Sequence, residues 1–251
     1  MDMPLICSSI PAITGSGFVA LYMSFENTAG RSSGYALAVR SVSERSVFYA
    51  CSFMGDQGTL LADGGKQLYV DCDIAGGRDL VSGGGAAIFH KGTLYIRAPP
   101  PERDHVVLTA HRRRYRNSSE GFVFRHYAVK AAEGELLPRS TGVYLGRPLG
   151  SSHSRVVFMW SFLDYVIAPQ GWVVGVGRGE TSGSVYYGEY RNTGPGSDTT
   201  GRVTAPGVKK TMTAEEAASF AGLAFIEGDS WLLSVGVPIL YDSLGNTTTV
   251  L

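Results

Sequence analysis

Gln67-Leu68-Tyr69-Val70-Asp71-Cys72-Asp73-Ile74, then Ala75-Gly76-Gly77-Arg78-Asp79-Leu80-Val81-Ser82-Gly83-Gly84-Gly85, then Ala86-Ala87-Ile88-Phe89-His90-Lys91-Gly92-Thr93-Leu94-Tyr95-Ile96 run on without a break. The outer pieces carry the β-branched and aromatic residues that suit strands. The middle piece is glycine-rich and holds one carboxylate, Asp79. Small neighbours let a substrate approach such a carboxylate closely. The plainer reading is a glycine turn whose Asp is solvated.

Working outward, similar short runs recur: Leu21–Phe25, Val47–Phe53, Gly121–Phe124 and Val156–Leu163. Phe53, Ile74 and Ile96 lie 21 and 22 residues apart. A period near 20 residues, with one β-unit each and little helix between, is what a parallel β-helix requires, because no coil can bury its apolar face alone. A propeller blade needs roughly 40 residues and four strands. Spacing alone leaves a β-sandwich open. On a β-helix, Cys51 and Cys72 occupy equivalent places on adjacent coils. Strands about 4.8 Å apart bring them within the Cα range that a disulfide can bridge, so the two are a candidate pair.

The 251 residues balance 22 basic against 22 acidic side chains, and 44% are hydrophobic. That excludes a disordered chain and argues against a dedicated nucleic-acid binder, which would be basic. No apolar run approaches the roughly 20 residues of a membrane span. The first residues lack a basic n-region and contain Pro4 and Pro11, so no signal peptide is read there. Three cysteines without C-x-x-C spacing and five scattered histidines give no metal site, and no cofactor is expected. Gly30-Arg31-Ser32-Ser33-Gly34 fits the hydrolase elbow pattern, but an extended run follows where a helix is needed. His111-Arg112-Arg113-Arg114-Tyr115-Arg116 reads as a solvated loop before it reads as a polyanion grip. Thr213-Ala214-Glu215-Glu216 is a capping box. It opens a helix with Ala217, Phe220, Ala221, Ala224 and Phe225 on one face, ending at Gly228.

Read as a series, several segments resemble plant pectin methylesterases. Late in the chain these are Tyr144-Leu145-Gly146-Arg147-Pro148, Ser154–Met159 and Tyr186–Gly196. Earlier ones are Phe25–Gly30, Ser46–Tyr49, Cys51-Ser52-Phe53 and Asp71–Ile74, in the same order. The resemblance covers about residues 12 to 235. It implies an all-β fold, a right-handed parallel β-helix with the C-terminal helix packed on it, over residues 1–251 as a single domain. It also implies that the family's first coils, which precede the position of Pro11, are missing from this chain.

The implied chemistry is hydrolysis of methyl esters of pectin (homogalacturonan) in the cell wall. One carboxylate attacks the ester carbonyl, glutamines hold the oxyanion, and a carboxylic acid protonates the departing methanol. Asp79 matches the nucleophile, Arg147 the arginine that orients it, Gln57 one oxyanion donor, and Trp172 a substrate-binding aromatic. A pectinesterase inhibitor protein is implied as a partner, and the acting unit is expected to be a monomer. Departures accompany the matches. Gly58 stands in place of the general acid and Tyr35 in place of the second oxyanion glutamine. Leu61, Ser82 and Leu149 replace large aromatics, and Gly92 and Tyr127 stand where the family has a cysteine pair. Two outcomes are therefore expected: a weakened esterase, or a binding protein that holds pectin or a partner without turnover.

Overall fold

A computed structural model describes residues 11–30, 34, 37–99, 105–135, 137–138, 141–150, 152–174 and 184–235. All of the paired strands run parallel, in a six-stranded and an eleven-stranded sheet. The smaller sheet stacks Ala12–Ile13, Val39–Ser41, Leu60–Ala62, Val81–Gly83, His105–His111 and Gly142–Pro148, in sequence order. The larger stacks Val19–Leu21, Ser46–Tyr49, Lys66–Gly76, Ala86–Ile96, Gly121–Ala131, Ser154–Met159, Val185–Tyr190 and Val208–Lys209, with three short strands, Ser24–Glu26, Ser52–Met54 and Phe162–Leu163, paired beside that path. Through Ser154–Met159 each turn of the chain adds a strand to both sheets, and the last two turns extend the larger one alone, which is a parallel β-helix.

The long strands bend at one recurrent corner. Tyr22, Ala50, Asp71, Lys91, His126, Trp160 and Arg191 all have φ between 48° and 55°. They follow directly on the paired residues Leu21, Tyr49, Val70, His90, Arg125, Met159 and Tyr190, so the left-handed corner repeats in register on successive coils. No glycine marks it, which hides the corner from a reading by turn residues.

Inside the coil, rings of Phe48, Tyr69, Phe89, Phe124 and Phe158 stack face to face with centroids 4.5–4.7 Å apart. That spacing is the inter-strand distance itself. Each stacked pair contributes about 0.5–1.5 kcal/mol beyond area burial. All five rings are fully buried.

The register corrects one detail of the repeat. Phe53 pairs with Ile74 as the spacing predicts, but Ile74 pairs with Leu94, and Ile96 with Gly76. A slip of two residues keeps side chains on the same face, so Leu94 and Ile96 are both core.

The disulfide expectation is also corrected. Cys51 and Cys72 lie on adjacent coils as expected, with Asp73 N–H donating to the Cys51 carbonyl at 3.0 Å, yet both are free thiols. In-register parallel strands point both Cβ atoms the same way and hold them near the strand spacing, whereas a disulfide needs Cβ atoms about 3.8 Å apart. Each thiol instead donates to carbonyls, Cys72 to Phe48 and Val70, Cys51 to Ala20 and Tyr49. The neighbouring Cys72 thiol is the main influence that lowers Cys51 to about 7, while burial raises Cys72.

The capping box forms: Thr213 Oγ1 accepts from Glu216 N–H at 3.1 Å and Glu216 Oε2 from Thr213 N–H at 3.0 Å. The helix covers Ala214–Ala221 and buries Ala217 and Phe220 against a cluster that includes Val123, Val157 and Met212. It stops at Gly222, well before Gly228, because Gly222 is extended and 3-10 turns follow. Ala224 is accordingly exposed. The basic run is only partly solvated: His111 and Arg113 are buried, and burial drives His111 down to about 3.

Candidate active site

Asp79 sits just before the strand Val81–Gly83, with φ 45° and its N–H donated to the Val107 carbonyl at 2.7 Å. A left-handed Asp is uncommon, and such strained residues gather at functional sites. Its side chain is fully buried. Arg147 holds both oxygens, Nε to Oδ1 at 3.0 Å and Nη2 to Oδ2 at 2.8 Å, and donates Nη1 to the Pro148 carbonyl at 3.1 Å. Arg147 can reach back because Ala110 lies between it and Ser82 in the sheet, and a methyl group does not obstruct a long side chain.

The preceding coil supplies the other members. Gln57 bridges Arg78, and Gly58 N–H donates to the Arg78 carbonyl at 2.9 Å. Leu60 pairs with Val81, so the register places Gly58 beside Asp79. The position matched to the proton donor therefore borders Asp79, and glycine offers no proton there. Gly58 has φ 67°. Asp56 does not fill the gap, since its carboxylate pairs with Arg97 at 3.3 Å. Leu61 pairs with Ser82, one strand from Ala110 and two from Arg147, so two of the thinned aromatic positions flank the Asp79–Arg147 pair. Tyr35 falls outside the described residues.

The expectation for Trp172 is corrected. It is 2% exposed and stacks on Tyr187 with centroids 4.5 Å apart, so its ring faces are not open to a sugar. Its indole N–H donates to Glu189 Oε1 at 3.0 Å. Glu189 in turn receives Arg202 through Nε at 2.8 Å and Nη2 at 3.0 Å. This buried trio braces the coil that follows the site. A glutamate at a core position of the strand Val185–Tyr190 was the sequence signal for it.

Arg78 was missed altogether. Its Nε lies 3.5 Å from Asp79 Oδ2, and its side chain is 21% exposed. Two guanidinium groups thus meet one carboxylate.

The Pectinesterase family profile matches residues 5–229. The chain belongs to the pectinesterase family. It is 40% identical over 229 residues to "Probable pectinesterase/pectinesterase inhibitor 17" of Arabidopsis thaliana, covering 90% of this chain and 44% of that protein. It is 38% identical over 233 residues to Pectinesterase 2 of Citrus sinensis, covering 92% and 45%. The chain therefore spans less than half the length of these relatives. Among solved structures, pectin methylesterase from carrot superposes with a TM-score of 0.83 at 34% identity, covering 90% of this chain and 70% of that one. The Aspergillus niger enzyme gives 0.72 at 28% identity, covering 88% and 66%. The all-β parallel helix is thus the pectin methylesterase fold.

Proposed function

We propose that this pectinesterase-family chain engages methyl-esterified homogalacturonan at Asp79 and hydrolyses its esters slowly. The Asp79–Arg147 pair carries the reading: two parallel hydrogen bonds fix the plane of a carboxylate at the family's nucleophile position. Asp79 attacks the ester carbonyl, Gln57 donates to the oxyanion, the bond to methoxide breaks, and water then cleaves the acyl intermediate. The methoxide must take its proton from water, because Gly58 borders Asp79 where the acid belongs. A positioned general acid is worth roughly 100- to 10,000-fold.

A second reading, holding pectin without turnover, is favoured by burial. The Asp79 side chain is 0% exposed while those of Arg147 and Arg78 are each 21% exposed, so an incoming ester meets guanidinium first. In either reading the chain works as a monomer in the plant cell wall, with a pectinesterase inhibitor protein as a further partner. Among the described residues no helix is long and apolar enough to cross a membrane.

Methanol release from methylated pectin by the purified protein, beside an Asp79→Asn variant, tests this. Asparagine tolerates the left-handed backbone, so the control leaves the fold in place. Slow release that disappears in the variant is expected. No release from folded protein that is still retarded on a pectin column would remove the hydrolytic reading and leave the holding one.

A further inference from the structure

We propose that Arg78 turns this cleft into a receptor for the free carboxylate of a uronate, so that de-esterified galacturonan binds in preference to its methyl ester. The inference rests on the pectin reading above and names the ligand form that the site selects.

Charge is the first argument. Asp79 carries one negative charge, Arg147 and Arg78 carry two positive ones, and Gln57 and Gly58 add none. The nearby Asp56 lies 3.3 Å from Arg97, which it shares with Glu135 at 3.7 Å, so that group of charges is set apart from the Asp79 carboxylate. At the Asp79 carboxylate itself two guanidinium groups meet one negative charge, and both are partly exposed while the Asp79 side chain is fully buried.

Geometry is the second. Arg147 spends Nε and Nη2 on Asp79 and Nη1 on Pro148. Arg78 touches Asp79 only through Nε, at 3.5 Å. Among the described residues its Nη groups donate to no acceptor, so part of the guanidinium fork is left for a ligand. That fork matches the two oxygens of a carboxylate. A methyl ester presents neither the charge nor two equivalent oxygens. In this setting Arg78 is a specificity-determining residue.

Position is the third. Arg78 bridges Gln57 and immediately precedes Asp79, so a carboxylate it holds occupies the place where the ester group would react. The free acid is also the product of ester hydrolysis, and an enzyme built this way retains what it makes.

Calorimetry with two galacturonate oligomers of equal length, one fully de-esterified and one fully methyl-esterified, decides the matter. The unmodified chain should bind the free acid roughly 10- to 100-fold more tightly, the scale of one charge-assisted contact. Added salt should shrink that ratio. Arg78→Val should bring the ratio close to one by lowering affinity for the free acid far more than affinity for the ester. Arg78→Gln, with its fold checked by circular dichroism, gives the same readout if the valine variant does not fold. Arg78→Lys should fall between, keeping the charge and losing the fork. Equal binding of both oligomers by the unmodified chain, or an unchanged ratio in folded Arg78 variants, would overturn the proposal and leave the pectin reading standing. Binding of neither oligomer would overturn both.

Discussion

Replacing Gly58 by aspartate returns a carboxyl to the place that borders Asp79. The parallel register sets the two backbones about 4.8 Å apart. With the carboxyls about 5 Å from each other and an effective dielectric near 20, their repulsion is about 3.3 kcal/mol, or about 2.4 pKa units. From about 3.9, Asp79 drives the introduced group up while Arg147 and Arg78, the two guanidinium groups at the same centre, draw it back, so it should titrate between about 4 and 6. A carboxyl protonated at mildly acidic pH is what proton donation to a leaving methoxide requires. Gly58 has φ 67°. Aspartate is among the residues that accept that region, at a cost on the order of 1 kcal/mol. Methanol release at pH 5 should therefore rise by roughly 100-fold, the low end of the range for general acids. The rate should fall as pH climbs from about 4 to 6 and beyond, where the donor loses its proton. Gly58→Asn, which adds bulk without acidity, should not raise it. A folded Gly58→Asp protein no faster than its parent at pH 5 would refute the proposal that a missing proton donor limits hydrolysis.

Further outcomes follow from the buried charges. Glu189→Ala should strip Arg202 of its buried partner and cost about 3–5 kcal/mol in denaturant unfolding, a penalty for an uncompensated buried cation. Glu189→Gln should recover only part, since it still accepts the Trp172 indole N–H. Burial holds His111 down to about 3, from an ordinary value of 6.5. The unfolded chain therefore binds a proton that the folded one refuses, and stability present above pH 6.5 is lost as pH falls toward 3, at about 1.4 kcal/mol per pH unit for this one group. Unfolding midpoints measured from pH 7 to 4 should drop less steeply in His111→Asn; identical slopes would show that His111 is not the source.

The fold was largely legible because its cause is local and repeated. Phe53 and Ile74, one coil apart, carry the same interior row, and a period near 20 residues has few architectural solutions. The corner at Asp71, Lys91 and His126 was not legible, since those residue types do not announce positive φ and stacking neighbours impose it. Asp79, Arg147, Gln57 and Gly58 could be placed by motif, and the structure brings the four together. Trp172 could not, because a tryptophan reads alike whether it faces a sugar or, as here, a buried glutamate. Arg78 escaped notice because it belongs to none of the matched segments. Its meaning appears only when its guanidinium is seen beside Asp79.

The stacked rings of Phe48, Tyr69, Phe89, Phe124 and Phe158 have a consequence for how this lineage can change. They hold the coils together from inside and none of them takes part in the Asp79 centre. Selection for a soluble, protease-resistant chain therefore acts on one set of residues, and selection for ester cleavage on another. A proton donor can be lost without any mark on yield or melting temperature. Surveys that score such chains by expression or thermal denaturation are blind to the difference between an enzyme and its silent descendant. Turnover and ligand form are the quantities on which the two diverge.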